Sequence, residues 1–579
     1  MSAVLTAQEP SAKYLVNLQP PLVRHFDLIA QAPSGVARLR ELILTLAVQG
    51  KLVPQDPSDE PATELLQKIR TEKDRLIAEG KIKRSKLQIE ISADEKPFVI
   101  PTDWAWIRLG ESMEMLNGKA FKPSDWLPSG LPIVRIQNLN KLEASFNYCN
   151  PETISEKNKI NDGSFLISWS GTPGTSFGAF IWQRGAAALN QHIFKCELIG
   201  HAFVPEFLKL SINSQLNVLI AKAQGGVGLQ HVTKGTLESL ILVLPPLAEQ
   251  SRIVTRVEEL MQLCDALEAS GQLEAQQHAQ LVNTLLGTLT QSETPEALAD
   301  NWQRIATHFD VLLDRPEAVD ALEQTILQLA VRGLLVPQDP TDEPASVLLQ
   351  KIRTEKDHLI AQGKIKRDKP LPPITDEEKP FELPQGWEWV RVADLCSMVT
   401  DGEHLTPTRC DDATQVPLVT AKNVRHEVMD YRVTDYVPQD IAEKCWQRCK
   451  PIVGDILMVS VGATLGRLCV LREPLDMVLV RSVTVLRPVH VGVSVDFFAL
   501  RLMSQDSQAE IWREVKQSAQ PCLYLAKSAA LKIALPPLAE QSRIVTRVNE
   551  LRSLCADLRQ RLAAGQAVQS RLADALVTG

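Results

Sequence analysis

Apolar residues fall at helical spacing in two stretches far apart in the chain. Ile253, Val257, Leu260, Cys264 and Leu267 succeed one another at intervals of 4, 3, 4 and 3, and Ile544, Val548, Leu551, Cys555 and Leu558 repeat those intervals. Such spacing is the seam of a coiled coil or a tight helix pair, so a long helix is predicted from each stretch. A proline pair, Pro245–Pro246 or Pro536–Pro537, precedes each one. Proline suits a first helical turn, where its missing N–H goes unused. Periodicity leaves the partner open. Each helix can pack on the segment beside it, or the two can bury their seams on each other across a pseudo-twofold; the matching seams favour the second.

A second helical pattern, "TELLQKIRTEKDRLIAEGKIKR", is amphipathic and ends at Gly80; its copy ends at Gly363. Basic runs follow: Lys81, Lys83, Arg84 and Lys86, then Lys364, Lys366, Arg367 and Lys369. Cations are favoured at a helix C-terminus, with phosphate or a partner subunit as the alternative contact. Elsewhere short β-rich runs such as "FLISW", "DILMVSV" and "MVLVRSVTVLRP" alternate with turn residues. They predict mixed, mainly β blocks.

The helical patterns are copies. "LPPLAEQSRIVTRV" runs from Leu244 to Val257 and returns unchanged from Leu535 to Val548, 535 − 244 = 291 residues later. Leu46–Lys86 returns as Leu329–Lys369 in a register of 329 − 46 = 283, with about four residues in five identical. That register also carries Lys96 of "KPF" onto Lys379, and Trp104 and Trp106 onto Trp387 and Trp389. A period near 290 is too long for a solenoid and marks a tandem duplication of a whole module. Between the copies identity collapses: "LPIVRIQNL" (Leu131–Leu139) faces "VPLVTAKNV" (Val416–Val424). Gly163 and Gly454, Gly171 and Gly462, and Pro132 and Pro417 keep their places while most polar residues change. One scaffold with two surfaces fits one kind of task on two targets.

The expected fold class is α+β, with two mixed, mainly β domains joined by long helices in an antiparallel coiled coil. The expected blocks are an N-terminal helical repeat region (1–95), a first β domain (96–244), a central repeat region (245–378), a second β domain (379–535) and a C-terminal helix (536–579).

With 579 residues, several cores are expected. The composition, 44% hydrophobic and 23% charged, is that of an ordinary globular protein. No apolar run approaches the roughly 18–20 residues that span a bilayer, so no membrane association is expected, and the N-terminus lacks the layout of a signal peptide. The 10 cysteines form no framework, the closest pair being Cys445 and Cys449. Scattered thiols of this kind predict a cytoplasmic chain. A net charge of −8 argues against nucleic acid only until it is located. Trp104–Leu244 carries 12 basic and 10 acidic side chains, and Trp387–Leu535 carries 17 and 18, so most of the acidic excess lies outside both β blocks. A DNA-binding surface needs local, not total, positive charge.

This layout resembles the specificity subunit of Type I restriction-modification enzymes over nearly the whole chain. The residues that carry the likeness are "LRELILTLAVQGKLVPQDP" and "LEQTILQLAVRGLLVPQDP", the two "LPPLAEQSRIVTRV" copies, the W-x-W pairs and "TDGEHLTP" (Thr400–Pro407). The resemblance implies two target-recognition domains, each reading half of a split, asymmetric sequence in double-stranded DNA. It also implies that the repeated helices bind two methyltransferase (modification) subunits, which motor-nuclease (restriction) subunits then join. S-adenosylmethionine, ATP and magnesium are then needed by those other subunits, and this chain binds no cofactor. The long N-terminal block resembles a subset of the family and, with the C-terminal helix, would mirror the central region in a circular pseudo-symmetry. A helix of about 35 residues is roughly 50 Å long, enough to hold two readers about one turn of B-DNA apart.

The alternative is a self-contained DNA-modifying enzyme, and its motifs are missing. No G-x-x-x-x-G-K-[ST] loop is present, since Ala120 follows Gly118–Lys119, and no N/D-P-P-[YF] occurs. D/E-x-K occurs at Asp94–Lys96 and Glu377–Lys379, a short match in a linker. No His or Cys spacing suits a metal. Base discrimination needs donors and acceptors on defined loops. In the first domain these are Arg135, Gln137, Asn138, Ser170, Thr172, Thr175, Ser176, Asn190, Gln191, His192, Gln230 and His231. In the second they are His404, Thr406, Thr408, Arg409, Lys422, Asn423, Arg425, Thr464, Arg467, Arg481 and Tyr524. A turn or surface role competes at each. Asn138 and Asn423 align, which suggests scaffold or phosphate duty, whereas Arg135 against Thr420 and Asn190 against Arg481 are the places where specificity would differ.

Overall fold

A computed structural model describes residues 29–30, 32–82, 90–141, 143–171, 177–215, 230–292, 294–367, 370–515 and 520–578. The chain forms two compact units, Met1–Leu273 with Gln566–Gly579, and Glu274–Gly565.

In the first unit, helices α1 (Gly35–Val48) and α2 (Ala62–Ala78) precede the strands. Gly80 stands just past α2 at φ +70°, where a side chain would be strained, and so stops the helix where the sequence predicts. Strands β1 (Ala105–Arg108) to β12 (Ile241–Leu244) follow, and these two pair with each other, Ala105 opposite Leu244. The β-rich block therefore returns to its starting point. Within it, β2 (Met113–Asn117), β10 (Ile193–Leu198), β6 (Phe165–Ser168) and β8 (Gly178–Ile181) make an antiparallel sheet in that order. A second sheet has the order β4 (Asn147–Cys149), β3 (Leu131–Val134), β9 (Ala187–Leu189), β5 (Lys159–Ile160), with β3 and β9 parallel. The short pair β7 (Ser170–Gly171) and β11 (Gln230–His231) and helix α3 (Pro205–Asn213) complete it.

The second unit repeats this plan. Helices α4 (Pro295–Thr307), α5 (Pro316–Val331) and α6 (Ala345–Ala361) lead to β13 (Glu388–Arg391), which pairs with β21 (Lys532–Leu535). The sheet β14 (Cys396–Asp401), β20 (Val483–Pro488), β17 (Ile456–Val459), β18 (Leu468–Val470) has the same order as its counterpart. The other sheet, β16 (Asp435–Val437), β15 (Val416–Val419), β19 (Val478–Leu479), keeps the parallel central pair. Where β5 stood, the helix Gln439–Trp446 packs through Ala442 on Val478 instead. Pro132 opposes Tyr148 and Pro417 opposes Tyr436, so the aligned prolines hold the same ladder position.

The fourteen-residue repeat opens two helices longer than expected, Leu247–Thr290 and Leu538–Thr578. Its residues Glu249 and Gln250, and their copies Glu540 and Gln541, are buried at a junction. In the first unit, Glu249 accepts hydrogen bonds from Trp104 Nε1 (2.9 Å) and Gln55 Nε2 (2.7 Å). Gln250 accepts from the Val204 N–H at 2.8 Å and donates to the Ala202 and Pro245 carbonyls, while Arg252 pairs with Asp59 at 2.6 Å. In the second, Glu540 accepts from Trp387 and Gln338, both at 2.9 Å, Gln541 from the Ser494 N–H at 2.7 Å, and Arg543 pairs with Asp342 at 2.7 Å. The other tryptophan of each W-x-W meets the phenylalanine of "KPF": Phe98 and Trp106 rings lie 5.1 Å apart, Phe381 and Trp389 rings 5.0 Å. The acidic linker is structural as well, since Glu95 pairs with Arg108 at 3.0 Å and Glu378 with Arg391 at 3.4 Å. These residues of the repeated motifs thus meet where a β block joins its helices. Changing one strands a buried partner, at a cost of about 1–3 kcal/mol per orphaned polar group, and that holds both copies fixed.

Each seam is buried within its own unit. Ile253, Val257, Leu260 and Cys264 lie in the first unit's core with Ala573, from the tail of the C-terminal helix. Ile544, Val548 and Cys555 lie in a core of the second unit with Val282, Leu286 and Leu289, from the tail of the central helix. Each seam meets the tail of the other helix. Periodicity found the buried face but not which part of the other helix it meets. Of the basic runs, Lys81 is tied to Glu79 (2.7 Å) and Arg367 to Asp357 (3.1 Å); Lys83, Arg84, Lys86 and Lys369 lie outside the described residues. Among the described residues no helix is long and apolar enough to cross a membrane.

Candidate nucleic-acid interface

Parallel neighbours end at the same edge, so β3 and β9 deliver their following loops side by side. The Asn190 N–H donates to the Val134 carbonyl at 3.1 Å, and in the second unit the Val480 N–H donates to Val419 at 3.2 Å. These bonds set the equivalences: Asn190 stands where Val480 does, and Arg481 stands where Gln191 does. The alignment of Asn190 with Arg481 is therefore one residue out. The loop after β6 reaches the same edge, because Trp169 N–H donates to His192 O (3.4 Å) and Val232 N–H to Trp169 O (3.1 Å). In the second unit Ser460 N–H donates to Ser482 O and Leu523 N–H to Ser460 O, both at 2.9 Å.

In the first unit the edge gathers Arg135, Gln137, Asn190, Gln191 and His192, with the backbone of Ser170, Gln230 and His231 beside them. Thr172, Thr175 and Ser176 lie outside the described residues. The Arg135 guanidinium lies 5.9 Å from the centroid of the Trp126 ring, an exposed indole, and the Arg135 Nε is buried without a hydrogen-bond partner among the described residues. Cation and indole attract, which holds the arm in place, yet the donor is unused. His192 packs its ring 5.4 Å from Trp169.

In the second unit the edge gathers His404, Lys422, Arg425, Arg481, Thr464 and Tyr524, and here Lys422 and Arg425 are paired with carboxylates. Asp435 takes Lys422 (3.0 Å) and Arg409 (3.4 Å); Asp430 takes Arg432 (2.8 Å) and Arg425 (3.4 Å). Arg432 beside Asp430 holds that carboxyl well below the usual carboxylate range. His404 Nε2 lies 3.1 Å from Asp401, whose carboxylate also pairs with Arg448. Thr406 and Thr408 are exposed on the loop after β14, and Thr464 and Arg467 form the β17–β18 turn.

Two candidates are withdrawn. Asn138 and Asn423 are 1% and 0% exposed. Asn138 accepts from the Arg135 N–H (3.0 Å) and donates to the Ala144 and Ser145 carbonyls; Asn423 accepts from the Thr420 N–H (3.0 Å) and donates to Asp430 and Val433. Their amides are spent on clamping the loop, and nothing is left for a base. Sequence reading missed Arg448, which sits inside "CWQRC", and Arg184, whose guanidinium lies 4.5 Å from the Phe146 ring. Neither has a motif around it; only the contact reveals it. Among the described residues no group of three or more His, Cys, Asp or Glu side chains is gathered as a metal site would need.

The model of the family described as Type I restriction modification DNA specificity domain matches residues 101–276 and 384–564. The chain is similar to the Type I restriction enzyme EcoAI specificity subunit of Escherichia coli, 35% identical over 94% of this chain and 93% of that one. It is also similar to the EcoEI specificity subunit of the same organism, 34% identical with the same coverage. A solved chain from a type I R-M system aligns with a TM-score of 0.45 and 18% identity over 83% of this chain and 98% of that one.

Proposed function

Because the chain belongs to the family of Type I restriction enzyme specificity subunits, we propose that residues 96–244 and 379–535 are its two target-recognition domains. It is the sequence-specific DNA-recognition subunit of such an enzyme, and its role there is non-catalytic. Each domain reads one half of a split, asymmetric duplex target with the edge formed after β3, β6 and β9 or their counterparts. The observation that carries this reading is one strand order used twice, with Arg135 against Thr420, Gln137 against Lys422 and Gln191 against Arg481 at matched places. Like frames with unlike donors suit two different base sequences.

The repeated helical regions, 1–95 and 245–378, dock two methyltransferase subunits, and motor-nuclease subunits join them. S-adenosylmethionine, ATP and magnesium belong to those subunits; this chain takes none, and the assembly works in the cytoplasm. The two long helices run as an antiparallel coiled coil that fixes the gap between half-sites, with circular pseudo-symmetry relating the halves. At ~1.5 Å per residue, 44 residues span about 66 Å, ample for one to two turns of B-DNA. The test is to sequence the methylated positions in DNA modified by the full complex: a split motif is expected, and a continuous or absent motif contradicts the reading.

A further inference from the structure

Beneath each reading edge lies a charge without an ion-pair partner among the described residues. After β2 the backbone passes flush against the loop that follows β9, and only glycine fits there: a Cβ on Gly118 would lie 2.2 Å from the Asn190 carbonyl oxygen. After β14 the same thing happens at Gly402, where a Cβ would lie 2.2 Å from the Leu479 carbonyl oxygen. The next residue is pinned in both. The Lys119 N–H donates to Leu189 O at 2.8 Å and bridges to Asn190; the Glu403 N–H donates to Leu479 O at 2.7 Å and bridges to Val480 in the same parallel sense. Positions 119 and 403 are one place in two copies of a scaffold, and they carry opposite charges.

Both side chains are half-buried. Among the described residues neither has an ion-pair partner; Lys119 Nζ lies 5.3 Å from the centroid of the Phe121 ring. The rim cations of the second unit show the contrast, since Lys422, Arg409, Arg425 and Arg432 all share a carboxylate. A partly desolvated charge without a partner destabilises the free protein, and a ligand that supplies the partner recovers that cost on binding. Asn190 and Arg481, both already candidate readers, are the immediate neighbours of these two charges.

We infer that Lys119 and Glu403 are the matched specificity-determining residues of the two half-sites and read base edges of opposite hydrogen-bond polarity. Lys119 donates to the acceptor edge of guanine, O6 and N7, and Glu403 accepts from the amino group of cytosine. This rests on the reading of the two β blocks as half-site readers.

The test uses the full modification complex carrying Lys119→Glu, Lys119→Gln, Glu403→Lys or Glu403→Gln, and reads the methylated motif from a DNA library. Lys119→Glu is expected to lower modification of the wild-type target about tenfold or more and to change the preferred base at one position of one half-site. Glu403→Lys does the same in the other half, and each Gln variant relaxes the same position as its charge-reversed partner. An unchanged motif at wild-type level overturns the inference. So does an equal loss across all sequences with a salt slope reduced by about one, the mark of a phosphate contact. If a charge-reversed variant fails to assemble, the Gln variant decides, and loss of both half-sites by that variant also overturns it. A wild-type complex with no split motif would instead defeat the reading of the blocks themselves.

Discussion

At the junction under each β block, Glu249 holds Trp104 and Gln55 at 2.9 and 2.7 Å, and Glu540 holds Trp387 and Gln338 at 2.9 and 2.9 Å. At the edge where the parallel strands end, hardly a side chain is shared: Arg135 faces Thr420, Gln191 faces Arg481, and Lys119 faces Glu403. The two regions obey different rules because their partners differ. Junction residues satisfy buried groups of the same chain, so a change in one strands another. Edge residues hang from a backbone held by others, the clamps Asn138 and Asn423, and can vary without disturbing the frame.

The sharpest way to break this contrast is at the junction. Trp104 and Trp387 are 4% and 5% exposed. Replacing either by alanine is expected to cost about 3–5 kcal/mol of its own unit's stability, seen as lost hydrogen-exchange protection in β12 or β21. Protection lost equally in both units would contradict the picture of two separately anchored blocks. Next in size come the clamps. Asn138→Ala orphans one backbone N–H and two carbonyls and should cost about 3 kcal/mol, with the first half-site losing all discrimination while the second keeps its own; Asn423→Ala should do the reverse. Selectivity measured separately for each half-site checks both.

Smaller effects belong to single readers. Arg135→Ala should weaken binding by about 1–3 kcal/mol, and at one base position only, which competition binding with single-base variants of the target would show. An equal loss at every position would make Arg135 a phosphate contact. The shallowest effect is on pH dependence. Burial pushes the Glu249 and Glu540 carboxyls above the usual carboxylate range, against the pull of their tryptophan and glutamine donors. A carboxyl raised on folding keeps its proton longer in the folded state. Stability is therefore highest below the unfolded value, falls as pH rises through the folded value, and stays reduced above it. Denaturant midpoints should decline over that window, and Glu249→Gln or Glu540→Gln should flatten the decline in one unit.

The duplication was legible in the sequence because identity over 14 residues needs no structure to see it. Strand-rich blocks were legible too, from β-branched runs between glycines, and so was the stop at Gly80, where the backbone must take φ +70°. Loops were legible as loops because turn residues mark where strands end. The part of a partner that each face meets was not legible. The seam of Ile253 to Cys264 reports a buried face, while its neighbour Ala573 comes from the far end of another helix. Asn138 and Gln137 have similar chemistry, and only the fold turns one inward and the other out. Lys119 gains meaning from a backbone approach to Asn190 that no local pattern announces.

The most direct measurement is the methylation motif of a complex in which Ala105–Leu244, from the first residue of β1 to the last of β12, is replaced by the corresponding segment of another family member. The paired ends of the block and the unchanged junction lead us to expect a new sequence in one half-site, with the other half and the gap between them retained. A change in both halves, or in the gap, would contradict a scaffold that holds two independent readers.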